Sequence, residues 1–93
     1  MAEVRREIDR LDRALVRLMA ERLRYIEEAA RVKQDRASVR DSDRIEDVVA
    51  KVLAEAHAQG LAREVAEPVW RLLIERSIAH EYDHFDAEKS AAH

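Results

Sequence analysis

The sequence predicts an all-α fold, and three observations carry that prediction. The 93 residues include 1 Gly and 1 Pro, so the chain has almost no turn punctuation. Hydrophobic residues make up 47% and charged residues 40%, with Ala, Glu, Arg and Leu abundant, a composition suited to long helices. Apolar residues recur in steps of three and four, and no stretch alternates with the period of a strand. The length is that of one domain, and no internal repeat or interdomain linker interrupts it.

The first helix is predicted from about Glu3 to about Asp35. Its seam reads Val4, Ile8, Leu11, Leu15, Leu18, Arg22, Tyr25, Ala29 and Val32, an unbroken heptad pattern that faces other helices. The segment Arg36-Ala37-Ser38-Val39-Arg40 reads as a loop. The second helix begins at Asp41-Ser42-Asp43, a cluster of N-cap residues, with Glu46 three after Asp43 in capping-box position. Its inward residues are Ile45, Val48, Val49, Val52, Leu53 and Ala56, and Gly60 is its stop signal. The third helix runs from about Ala62 to about His84. Pro68 falls early in it, so the helix either begins later or kinks in its first turns. The last residues, Phe85 to His93, read as a frayed tail.

Charge and composition exclude several function classes. A formal net charge of −3 argues against a general nucleic-acid binder. With 0 Cys there is no disulfide and no thiolate metal site. The start, MAEVRREIDR, lacks the apolar core of a signal peptide, and no apolar run approaches the roughly 20 residues that span a membrane. The expectation is a cytoplasmic protein with no membrane partner.

The first helix is too long for the chain. At 1.5 Å per residue it spans roughly 50 Å, whereas a compact globule of this length has a diameter of roughly 32 Å. Two shorter helices cannot cover its whole seam. A second copy of the chain, long helix against long helix in a symmetric dimer, is the simplest cover.

Polar residues intrude on these seams. Arg22 occupies a heptad position, where a guanidinium must be paired or must bind an anion. In the third helix Trp70, Ile74, Ser77 and Glu81 follow steps of four, three and four, which turns Ser77 and Glu81 inward about one turn apart. Lys33 neighbours the seam residue Val32, and Asp41 and Arg44 open the second helix. Each has a plainer reading. Arg22 and Glu81 could close an interior salt bridge, Lys33 and Arg5 could be solvated, Asp41 could be only a cap, and Ser77 could bond back to a helix carbonyl. Taken together, several polar residues on the seams of one bundle point to a ligand site.

These residues resemble the all-helical chorismate mutases over essentially the whole helical region, about 3–84. The stretches that carry the resemblance are Val4-Arg5-Arg6-Glu7-Ile8-Asp9-Arg10-Leu11-Asp12, Leu18-Met19-Ala20-Glu21-Arg22, Val32-Lys33, Val39-Arg40-Asp41-Ser42-Asp43-Arg44, and Leu72 to Ser77 with Glu81. The resemblance implies an intertwined homodimer of three-helix subunits with two shared sites and no cofactor or metal. It implies that Arg5 reaches the site of the partner chain, that Arg22 binds a carboxylate of chorismate, and that Lys33 binds carboxylate and ether oxygen. It further implies that Asp41 holds the ring hydroxyl, that Arg44 lies near a carboxylate, that Ser77 contacts the carboxylate region, and that Glu81 donates to the ether oxygen. The implied reaction, chorismate to prephenate in phenylalanine and tyrosine biosynthesis, is an intramolecular rearrangement. It needs a cationic cradle for the diaxial dicarboxylate and donors for the charge that grows on the ether oxygen.

Two positions depart from the family pattern. Many members carry Gln where this chain has Glu81, and a carboxyl donates only when protonated; burial favours that form and neighbouring Lys33 opposes it. Many also carry an acid after the arginine at 44, where this chain has Ile45.

Rival readings remain. Isochorismate-pyruvate lyases look like the same family and use a similar pocket, but those considered lack the acid at 41 and carry Gln at 81. His80-Glu81-Tyr82-Asp83-His84 matches the H-E-x-x-H motif of zinc proteases, with two His as ligands and Glu81 as base. Few residues follow it to supply a third ligand, and two partly exposed histidines flanking an inward Glu81 explain it as well. A helical dimer that binds without catalysis is the third class.

Overall fold

The computed structural model describes residues 1–91 and contains three helices with one short turn. Helix α1 spans Ala2–Val32, a 3-10 turn spans Arg36–Ser38, α2 spans Ser42–Gln59 and α3 spans Arg63–Ala91. There is no strand among the described residues. The all-α, three-helix reading is correct.

Several boundaries differ from those the sequence predicts. α1 ends at Val32 rather than near Asp35, and Lys33 takes extended angles, φ −72° and ψ 138°. Asp35 instead caps the turn that follows, its carboxylate accepting from the Ala37 N–H at 3.0 Å. The α2 cap is Asp41, which accepts from the Arg44 N–H at 3.1 Å, so the Asp43/Glu46 capping box is not used. Gly60 stops α2 as expected. It adopts φ 76°, a left-handed conformation open to Gly, and its N–H donates to the carbonyls of Ala56 and His57.

α3 begins at Arg63, in agreement with a start near Ala62, and carries Pro68 inside it, so the later start is overturned. Proline has no N–H, which leaves the exposed Glu64 carbonyl without its usual helical donor and open to water. At the other end, residues 85–91 are helical rather than frayed, while residues 92–93 lie outside the described part. Phe85 explains the extension: it is buried in the core, and the turns beyond it are tied down by Arg36 to Asp86 at 2.9 Å and Arg31 to Glu88 at 3.6 Å.

α3 is the central element, with α1 and α2 each packed against it. The core joins Ala30 from α1, Val39 from the connecting segment, Val49 from α2, and Ile74, Ile78 and Phe85 from α3. The 36–40 segment, read as a loop, therefore places a buried residue. It is strapped to α3 by Arg40–Glu75 and Arg36–Asp86 ion pairs, and the Arg36 guanidinium stacks 4.4 Å from the Tyr82 ring centre.

Among the described residues the apolar seam of the N-terminal half of α1 is left half uncovered. Val4, Ile8, Leu11, Leu15 and Leu18 each keep between 50% and 53% of their surface exposed. The molecule measures 55 × 27 × 15 Å with a radius of gyration of 16.1 Å, against about 12 Å for a compact chain of this length. No helix of the described residues is long and apolar enough to cross a membrane.

Candidate active site

The C-terminal half of α1, the start of α2 and the middle of α3 enclose a cavity of about 520 Å³, within the range of roughly 300–1,000 Å³ typical of small-ligand pockets. Six of the seven candidate site residues line it: Arg22, Lys33, Asp41, Arg44, Ser77 and Glu81. Ile74, Ile78, Val39 and Val48 form its apolar wall. These six polar residues come from three helices and two helix caps, Lys33 and Asp41, up to 59 positions apart (from Arg22 to Glu81), and share one cavity.

Helical register explains the placement. Ser77 and Glu81 stand four apart on the inward face of α3, and both are 4% exposed. Arg22 reaches across from α1 and donates from Nη1 to Ser77 Oγ at 2.9 Å. Ser77 in turn donates to the Leu73 carbonyl at 2.7 Å, the helix back-bond that the plainer reading foresees. Lys33 sits at the end of α1, where the chain leaves the helix, and its Nζ lies 2.5 Å from Glu81 Oε2. Glu81 is thus paired with Lys33, and the interior Arg22–Glu81 bridge does not form.

The site is electropositive by construction. Burial, then the nearby charge of Arg44, pulls the Arg22 pKa below its ordinary value. Both effects would be relieved by an anion, because an incoming negative charge compensates the desolvated guanidinium and separates the like charges. Arg44 spends one nitrogen on Asp47 at 2.8 Å and leaves the rest of its fork available. Asp41 uses Oδ1 as the α2 cap and lines the cavity as well, so the cap reading and the binding reading are compatible.

The chemistry of this set is binding and charge stabilisation. Among the described residues no histidine lines the cavity, and the chain has 0 Cys. The Ser77 hydroxyl is held between a guanidinium and a carbonyl, with no base positioned to activate it as a nucleophile. What remains are fixed cationic donors, a hydroxyl and two carboxyl groups around an apolar-walled space.

Arg5 is the exception among the candidates. It lies on the exposed N-terminal part of α1, 17 residues before Arg22, which is about 25 Å along the helix axis, and it does not line the cavity of its own chain. The H-E-x-x-H reading is corrected: Glu81 turns to Lys33, whereas His80 and His84 turn to Glu27 of α1. The hydrogen bond to His80 is the largest of the effects that hold the Glu27 carboxyl below its usual range. Sequence reasoning missed the walls supplied by Tyr25, Ile26 and Val39, residues whose spacing marks them only as apolar.

Comparison with known proteins gives one positive finding. The family model described as chorismate mutase type II matches residues 4–82, which takes in all but the first two residues of α1, all of α2 and the part of α3 that bears Ser77 and Glu81. The searches of curated proteins and of solved structures gave no match. The matched span contains every residue lining the cavity, and the chain belongs to the type II chorismate mutase family.

Proposed function

We propose that this chain is a chorismate mutase that converts chorismate to prephenate as a homodimer with two shared active sites. The observation that carries the reading is the convergence of Arg22, Lys33 and Arg44 with Ser77 and Glu81 in one cavity of small-ligand size. A dicarboxylate suits three cationic side chains, and guanidinium groups bind carboxylates in bidentate fashion.

In this reading Arg22, with Ser77 fixing its guanidinium, holds one carboxylate, and Arg44 holds the other end of the substrate. Binding both ends selects the folded diaxial conformer, in which the atoms that will bond lie close together. As the C–O bond breaks and the C–C bond forms within the one molecule, negative charge grows on the ether oxygen. The Lys33 ammonium and a protonated Glu81 donate to it, and because they are positioned beforehand little reorganisation is required. Asp41 accepts from the ring hydroxyl. Arg5 enters from the partner, whose long helix covers the exposed seam Val4 to Leu18.

Asp41 and Glu81 support the mutase over the isochorismate-pyruvate lyase. The test is the loss of chorismate absorbance with purified protein and EDTA, with chromatographic analysis of products from chorismate and from isochorismate. Prephenate formed from chorismate, unchanged by EDTA, is the expected result. Salicylate and pyruvate from isochorismate, with no prephenate, would transfer the site to the lyase. Inertness toward both would leave a helical module that binds without catalysis.

A further inference from the structure

Outside the cavity, three side chains that the reaction does not use meet between α1 and α3. Glu27 Oε2 lies 2.7 Å from His80 Nε2 and 3.4 Å from His84 Nε2. One ligand atom from each residue falls within 4.8 Å of the others. The two imidazole rings, one helical turn apart on α3, have centres 4.6 Å apart. All three side chains are partly exposed, at 34%, 34% and 44% for Glu27, His80 and His84, so an ion could enter from solvent.

We propose that Glu27, His80 and His84 form a three-ligand site for a zinc-class divalent ion, which clips α1 to α3. Two imidazoles and a carboxylate are the donor set that suits zinc and its neighbours rather than calcium or magnesium. In a tetrahedral site, metal–nitrogen and metal–oxygen bonds of about 2.0–2.2 Å put the ligand atoms about 3.4 Å apart. Atoms now within 4.8 Å of one another must close by up to about 1.4 Å, which partly exposed side chains make by rotation. The ion takes the place of the Glu27–His80 hydrogen bond, with any imidazole proton carried on Nδ1, and the fourth position faces water.

The sequence motif on α3 thus serves a different end from the one it suggests. Glu81, the residue a zinc hydrolase would use as base, is buried and paired with Lys33 on another face of the helix. The third ligand is instead Glu27 of α1, 53 residues before His80 in sequence. The site therefore holds two elements together and has no general base of its own. Ion binding fastens the C-terminal half of α1, which carries Arg22 and ends at Lys33, against the helix that carries Ser77 and Glu81.

The test is isothermal titration of the metal-stripped full chain with zinc chloride, with the cobalt(II) absorption spectrum as a second probe. Expected is one ion per chain at micromolar affinity, visible-region cobalt bands of a four-coordinate site, and a rise of several degrees in Tm with zinc. His84→Ala and Glu27→Gln, each shown to be folded by circular dichroism, should weaken binding at least about tenfold and remove the Tm rise. Two variants are used so that misfolding of one leaves the other decisive. No stoichiometric binding at 100-fold excess zinc would overturn the proposal. So would undiminished binding in the folded variants, which would place the ion elsewhere on the chain.

Discussion

Lys33 and Glu81 form an ion pair that bears on stability and, in the proposed reaction, on chemistry as well. The carboxylate is 4% exposed, so deleting its partner leaves a charge with nothing to compensate it. Lys33→Met should destabilise the fold by about 1–3 kcal/mol in urea titration. The double variant Lys33→Met/Glu81→Leu should recover most of that loss while remaining inactive, since an apolar pair of similar volume replaces the ions but donates nothing. A single variant as stable as the parent would show that the pair is not structural. Activity tests the other half of the pair. Glu81→Gln keeps a hydrogen-bond donor at the site and should retain mutase kcat/KM, whereas Glu81→Leu should lose it. Equal loss in both variants removes Glu81 from the donor role. At this scale the sequence was informative wherever a polar residue broke an apolar period, as with Arg22, Ser77 and Glu81. It did not indicate who pairs with whom: Glu81 chooses Lys33 over Arg22, and Glu27 joins His80 and His84, because such choices depend on how helices cross.

At the level of elements, the helices were legible and their ends were not. Periodicity locates α1, α2 and α3 because each buries a stripe, but a stripe carries no marker where it stops. α1 ends at Val32 without Gly or Pro nearby, because Asp35 caps the next turn and Val39 must reach the core. α3 outruns the expected end near His84 because Phe85 is a core residue, 6% exposed, and not the start of a tail. Phe85→Ala should therefore cost about 3–5 kcal/mol, as a core truncation does, and circular dichroism should show loss of the last helical turns as well. A cost below 1 kcal/mol would mean the segment is a tail after all. Arg36 and Arg40, exposed on the connecting turn, contribute less: their ion pairs with Asp86 and Glu75 are solvent-screened and serve to seat the turn on α3.

For the whole molecule, length proved as informative as any motif. A helix of 31 residues in a body 55 Å long and 15 Å thin leaves its apolar seam half exposed, and Arg5 stands far from the cavity that its own chain forms. The proposed dimer makes a specific prediction about shared sites. Arg5→Ala and Arg22→Ala homodimers should each be nearly inactive, yet mixing the two by unfolding and refolding together should restore about a quarter of the parental activity. Half of the dimers are then mixed, and each mixed dimer contains one site with both arginines intact. A mixture that stays inactive would show that Arg5 serves its own chain or no chain.

Because α1 and α2 both rest on α3 and the apolar seam in the first half of α1 stays half exposed, the three helices do not have equal claims to form first. α2 and α3 are neighbours in sequence, joined through Gly60, and can pair within one chain on a fast timescale. In the proposed dimer the N-terminal half of α1 docks on the partner, which makes that step bimolecular. The late phase of refolding should accordingly quicken in proportion to protein concentration, while the early phase does not, which makes the moment of assembly visible to a stopped-flow instrument.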